Sequence, residues 1–279
     1  SPVCPRCSGL EHYHLRTRAL WKCKACNKQF SLTSGTIFHG RKLKLRDILG
    51  AIAIYTNGAK GYSALQLSRD LCCDYKSTFV LLHKMREAIG LARAKGALSG
   101  NVEVDGAYFG GYVRPANNRS GRKDLRLVAN QSGKRQVVIA VRERGGKTVA
   151  AVAQTEADGV ALAKVTVAPG STVHADEASH WDKLAANFPI KRINHKLAYS
   201  KDGACTNQAE SFFSRMRRAE IGVHHRIAGS YLAAYAVELA WREDARRINN
   251  GGQFAMILSA ATSAPKSEAW CGYWQRRTR

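Results

Sequence analysis

The spacing of hydrophobic and polar positions changes several times along the chain, and each change marks an element. From Asn101 to Gly111, Val102 and Val104 alternate with Glu103 and Asp105, the period of a strand with one buried face. Gln136 to Arg142 and Lys147 to Gln154 read as two further strands joined by Arg144 to Gly146, and Ser171 to Asp176 is another short β-prone run. Glu177 to Leu184 reads as the helix after it. In Thr206 to Arg218 the period lengthens: Ala209, Phe212, Phe213 and Met216 fall on one helical face. Asn207, Glu210, Ser214 and Arg217 form a separate polar stripe on the same helix, and Ala233 to Ile248 predicts another helix. Nearer the start, Arg46 to Asn57 has helical composition and stops at Asn57-Gly58. Tyr62 to Asp70 and Tyr75 to Ile89 read as two helices across the brief Leu71 to Asp74. Strands first, then strand and helix in turn, is a mixed α/β order compatible with a ribonuclease-H-like fold.

Ala92 to Gly100 is a small-residue linker and a natural boundary. The expected organisation is a metal-binding ribbon over 1–39, a helical region over 40–97, an α/β catalytic domain over 98–263 and a basic, aromatic tail over 264–279. That tail carries Trp270, Trp274, Arg276, Arg277 and Arg279.

Composition then names the partner. The 279 residues carry a formal charge of +23, spread along the whole length. Such an excess points to a polyanion, and nucleic acid leads because Lys and Arg neutralise phosphates and release counterions. A membrane surface is the rival, but no basic amphipathic helix with a strong apolar face is evident, and no apolar run approaches a span. Nothing at the N-terminus resembles a signal peptide, and the cysteines suit a reducing compartment, so the expected location is the cytoplasm, on the nucleoid.

Cys4-Pro-Arg-Cys7 and Cys23-Lys-Ala-Cys26 give C-x2-C, fifteen intervening residues, then C-x2-C. That spacing puts two thiolate pairs on facing knuckles, positioned for one tetrahedral, structural zinc. A segment so short cannot bury enough core to fold unaided, so metal binding would supply its stability. The helix pair that follows has helix-turn-helix order, in which the second helix would offer Lys76, Ser77, Thr78 and Lys84 to DNA. A plain helical connector is the competing reading, since cysteine stands where the turn usually has glycine. The basic loop from Arg114 to Arg126 is either a solvated surface or a DNA backbone contact.

Acidic residues are poor strand formers, so Asp105 and Asp176 at strand ends need a reason. Turn chemistry supplies one for Asp105-Gly106. A two-metal phosphoryl-transfer site supplies another: two strand-end aspartates and the helix-borne Glu210 could hold a pair of hard cations through oxygen. Asn207 and Glu210 also fit the ends of a capping box at the start of their helix.

These blocks resemble a known family. Val102-Glu-Val-Asp-Gly-Ala-Tyr-Phe-Gly-Gly111, His174-Ala-Asp176 and Thr206-Asn-Gln-Ala-Glu210 look like the catalytic blocks of the ISXO2-like (IS1595) insertion-sequence transposases, and the ribbon with Phe30 to Phe38 looks like that family's N-terminal domain. The resemblance runs from about Val3 to about Asn249 and keeps the block order. It implies a DDE-type DNA transposase with a ribonuclease-H-like domain and two Mg²⁺ (or Mn²⁺) ions, cutting at element ends and joining the 3′-hydroxyl to target DNA. Its partners would be the terminal inverted repeats and target DNA, bound as a homo-oligomer. Asp105 and Asp176 match the family's aspartates; Glu210 is the expected third ligand, with Asn207 as a neutral ligand or orienting group. Arg217 stands at a basic family position, with Arg218 beside it as a further DNA contact, and His225 is the closer match in Gly222-Val-His-His225. A nuclease of the same fold, or a non-catalytic DNA-binding derivative, would share most of these features.

Overall fold

The computed structural model describes residues 2–93, 96–110, 116–123, 135–194, 200 and 203–276. The predicted basic loop therefore lies partly, and Arg277 and Arg279 wholly, outside the described residues. In chain order, β1 (His12–Leu15), β2 (Leu20–Cys23) and β3 (Gln29–Phe30) are followed by helices α1 (Leu45–Asn57), α2 (Ala64–Asp70) and α3 (Tyr75–Ala92). Next come β4 (Asn101–Gly110), β5 (Arg135–Glu143), β6 (Thr148–Ala153), α4 (Gly159–Thr166), β7 (Thr172–Ala175) and β8 (Ile190–Arg192). The chain ends with α5 (Asn207–Ala219), α6 (Gly229–Ala245), α7 (Asn250–Ser263) and the short α8 (Tyr273–Arg276). Among the described residues no helix is long and apolar enough to cross a membrane.

Two compact units result. One comprises Ser1–Gly58, Ser63–Ala92 and Ile248–Arg279; the other comprises Ala59–Tyr62 and Arg93–Arg247. This moves the expected boundary at 263. Helix α7 packs on α1 and α3, burying Ile257, Ala260 and Ala261, so it groups with the N-terminal helices. Asn249 caps the helix, accepting from the Gly252 N–H at 2.8 Å. The tail is anchored to the same unit, where Ser267 Oγ donates to Glu87 at 2.6 Å.

The second unit is built on a five-stranded sheet of order β6-β5-β4-β7-β8. Strands β4, β5 and β6 run antiparallel in succession, while β7 is parallel to β4 and β8 to β7. First strand central, two antiparallel neighbours on one side and two parallel ones on the other: this is the ribonuclease-H-like arrangement. The alternation of β4 divides its two faces as predicted. Val102 and Val104 join Val137, Ile139 and Trp181 in one core; Ala107 and Phe109 join Phe212, Phe213, Met216 and Leu239 in the other. Two elements were not legible. Helix α4 reaches the first core only because Gly159 lies so close that a Cβ there would stand 2.7 Å from the Trp181 ring. The predicted helix after Asp176 is instead a 3₁₀ segment, Ser179–Leu184.

Candidate active site

Asp105 sits on the central strand, on the face it shares with Glu103, Ala107 and Phe109. Glu103 pairs with His174 in the parallel ladder, so two residues further along both chains Asp105 and Asp176 come to the same level of the sheet, where β7 ends and β4 continues. Asp176 Oδ1 accepts from the Ala178 N–H at 3.1 Å and Asp105 Oδ1 from the Gly106 N–H at 2.8 Å. Burial raises the Asp105 carboxyl to about 7; the Gly106 N–H opposes this, and the negative charges of Asp176, Glu156 and Glu210 add to it. Strand β4 and the ends of β7 and α5 thus bring Asp176 and Glu210 into electrostatic reach of Asp105.

Glu156 is a fourth acid that the sequence reading missed. It lies on a 3₁₀ turn, Glu156–Asp158, and its own carboxyl is raised by burial and by Asp176. Gly106 is what admits it: a Cβ at that position would stand 2.7 Å from Glu156 Cγ. Gly106 does not turn the chain, since β4 continues to Gly110 with Gly106 opposite Ile139. The turn reading of Asp105-Gly106 therefore fails, and a glycine within a strand was the available sign of a close neighbour.

Helix α5 carries Glu210 on its half-buried side, and its start is held from the strand. The capping box is not formed: Thr206 is the N-cap, its side chain makes no capping bond, and Asn207 is the exposed first helical residue. The fully buried Glu103 takes that role across the sheet–helix gap. Its Oε2 accepts from the N–H groups of Gln208 and Ala209 at 2.8 and 3.1 Å, and its Oε1 from Arg144 Nε at 2.8 Å. Arg144 also donates to the Cys205 carbonyl at 2.9 Å and lies 3.1 Å from His174 Nδ1, whose pKa is lowered to about 4 by burial and by that guanidinium. A carboxylate at a helix N-terminus satisfies orphan N–H donors and meets the positive end of the helix dipole. Strand β4 thus supplies both Asp105 and, two residues earlier, the group that fixes the helix bearing Glu210.

Beyond that helix, Arg217 is exposed, its guanidinium carbon 5.9 Å from the Phe109 ring centroid, and the exposed Arg218 donates to Ser214 Oγ at 2.9 Å. His225 is exposed and left-handed, with φ 56, after a π-helical segment, Glu220–His224.

In the first unit, Ser63 caps α2 by accepting from the Gln66 N–H at 3.1 Å. Cys72 adopts φ 48 in the turn before α3, the left-handed conformation glycine would have supplied. The lateral face expected of a recognition helix is missing, because Leu81 to Arg86 are buried without interruption. Thr78 and Lys84 are accordingly corrected. The Thr78 side chain is fully buried and donates to the carbonyls of Ala64 and Tyr75; Lys84 is 7% exposed and donates to the His39 carbonyl at 3.3 Å. Lys76 is exposed and Ser77 half-buried, both in the first turn.

The ribbon is a metal centre in form. Sγ atoms of Cys4 and Cys26 are 3.6 Å apart, those of Cys7 and Cys23 3.5 Å, and all four lie within 4.8 Å of one another. Tetrahedral ligation at about 2.3 Å sets the sulfurs about 3.8 Å apart, so the thiols fit zinc and leave no open position. Purified protein should therefore hold one zinc per chain by elemental analysis, and Cys4→Ser/Cys23→Ser should lose it together with the fold of residues 1–29. Zinc content indifferent to both substitutions would refute the assignment.

A ribonuclease-H-like sheet with a carboxyl on its central strand and further acids in electrostatic reach of it, preceded in sequence by a zinc ribbon, defines the class. Residues 97–244 match the ISXO2-like transposase domain, and residues 1–29 match the transposase zinc-ribbon domain of the same IS1595 group. The chain belongs to the ISXO2-like transposase family. No curated protein matches it in sequence. Among solved structures, a chain from the crystal structure of the Mos1 strand transfer complex is similar at 13% identity, over 83% of this chain and 78% of that one. Its TM-score of 0.28 is too low to bear on function.

Proposed function

We propose that the protein is a DDE-type DNA transposase that cuts DNA at the ends of its element and transfers the freed 3′-hydroxyl into target DNA. The observation that carries this reading is the placing of Asp105 on the central strand, where burial raises its carboxyl to about 7 and the charges of Asp176, Glu156 and Glu210 add to the rise. An all-oxygen, acid-rich donor set fits hard divalent cations, Mg²⁺ or Mn²⁺. Such a pair, when bound, would supply an activated hydroxide and offset charge on the reacting phosphate. Asp105, Asp176 and Glu210 would hold the ions, with Glu156 as an additional carboxylate at the edge. Glu103 and Arg144 orient the helix and stay out of the chemistry. Arg217, Arg218 and Lys76 are positioned on the surface to meet DNA phosphates, with Ser77 beside Lys76, and the +23 charge supports binding to element ends and target DNA. Residues 98–247 form the catalytic domain, and the protein works as a homo-oligomer on DNA in the cytoplasm.

The test is metal-dependent cleavage of a duplex containing the element end. Wild-type protein should cleave in Mg²⁺ or Mn²⁺, and Asp105→Asn should be inactive while still binding DNA. At limiting metal the wild-type rate should rise with pH through about 7, because Asp105 must lose its proton before it can ligate a cation. Full activity of Asp105→Asn would overturn the reading.

A further inference from the structure

We infer that the first unit carries a pocket for an unpaired nucleotide of DNA, formed by the first turn of α3 and the aromatic tail. The inference rests on the reading that DNA is the partner, and it names a contact that reading leaves open. A cavity of about 420 Å³, within the size range of small-molecule sites, lies against both segments. Its walls are of two kinds. Arg41, Lys42, Lys76 and Lys84 are cationic, against the single acid Asp74, while Trp270, Tyr273 and Trp274 are aromatic.

The two kinds are built together. Lys76 Nζ stands 5.4 Å from the Trp274 ring centroid, and Trp274 Nε1 donates to the Lys76 carbonyl at 3.3 Å, which ties the indole to the helix start. Trp270 stacks on His83 with centroids 4.2 Å apart, and Tyr273 meets Trp274 edge-on at 5.2 Å. Lys84 is a charged wall residue withdrawn from solvent, and the His39 carbonyl takes one of its three N–H donors. A nearly buried cation among the lining residues, beside Arg41, Lys42 and Lys76, favours an anion there. Tryptophan and tyrosine rings favour a flat partner. A nucleotide supplies both, its phosphate for the lysines and its base for the rings, as in single-strand sites where cations track the backbone and aromatics stack the bases. A paired base cannot present its face, so the ligand is a nucleotide outside the duplex stack. The course of α3 points the same way: with Leu81 to Arg86 enclosed, its open positions lie at the two ends, and the cavity adjoins the first turn.

The experiment uses the full zinc-loaded chain and two duplexes of one sequence, one blunt and fully paired, one with a single bulged 2-aminopurine. Binding is read by anisotropy and stacking by 2-aminopurine fluorescence. Wild-type protein should bind the bulged duplex roughly tenfold more tightly and quench its fluorophore, a preference of the size that stacking one base gives. Trp274→Leu should abolish preference and quenching while blunt-duplex affinity stays, and Trp274→Phe, which keeps a ring, should retain part of both. Equal affinity of wild-type protein for the two duplexes would overturn the pocket and leave the transposase reading intact. Equal loss on both duplexes in Trp274→Leu would make the tryptophan structural and also overturn it. Failure of wild-type protein to bind either duplex would instead remove the reading on which the inference rests.

Discussion

Glu103→Gln should lower the thermal stability of the catalytic domain and cut cleavage sharply, although Glu103 would touch neither metal nor DNA. The glutamate is fully buried, and both its oxygens are used: one by the N–H groups that open α5, the other by Arg144. Glutamine keeps the shape but can offer only one acceptor, so its amide N–H must face either Arg144 or the helix N–H groups. Breaking a buried ion pair from one side leaves an uncompensated charge and costs about 3–5 kcal/mol. In a domain of this size that corresponds to roughly 10 °C in melting temperature. Arg144→Gln removes the other partner, and the double variant should lose much less than the sum of the singles, because the residues in one network couple. Cleavage should fall because α5 loses the bond that fixes Glu210 relative to Asp105, and DNA affinity should fall little. Wild-type melting and cleavage in Glu103→Gln would show that the helix is placed by its apolar face alone.

That role could not be read from the sequence, and the reason is physical. Alternation assigned Val102 and Val104 to one face, and the core confirms it. The same alternation says only that Glu103 lies on the other face, and a charged residue there reads as solvated until α5 is known to cover it. Asp105 and Asp176 were legible because an acidic residue conflicts with a β-prone run, and Glu210 because it shares a polar stripe with Asn207; Asp105 nevertheless lies within β4 and not at its end. Glu156 was not, since its nearness to Asp105 depends on a tertiary approach whose only local trace is Gly106. The cysteine spacing gave the ribbon almost completely, because ligand geometry is local. Helix α3 shows the opposite case. Its sequence reads as a basic recognition helix, yet Thr78 and Lys84 are buried because helices α2 and α7 and the tail close around it. Nothing in its own residues announces so many neighbours.

The division of labour between Asn207 and Glu210 can now be tested more cleanly than the capping-box reading allowed. With Glu103 satisfying the helix start, neither residue is needed as a cap, so a change at either should leave stability nearly intact. Asn207 is exposed at the first helical position, and Asn207→Ala should shift the melting temperature by no more than an ordinary surface substitution, within about 0.5 kcal/mol. Glu210 is half-buried, one turn on, and among the charges that raise Asp105. Glu210→Gln keeps its size and removes that charge. If Glu210 is the third ligand, metal-dependent cleavage should fall by more than the roughly 10–100-fold typical of an outer-sphere partner, with little change in DNA binding. The lost charge should also bring the Asp105 carboxyl down from about 7 in metal-free protein, a shift that carboxylate titration by NMR would follow without reference to activity. The two readouts separate the possibilities. A lower Asp105 pKa with normal cleavage would make Glu210 a neighbour of the site and no ligand. A dead Asn207→Ala beside an active Glu210→Gln would transfer the third role to the asparagine. Loss of cleavage in Glu210→Gln alone, with the Asp105 carboxyl lowered and the fold unchanged, is the outcome expected when the charge itself is what the metal pair requires.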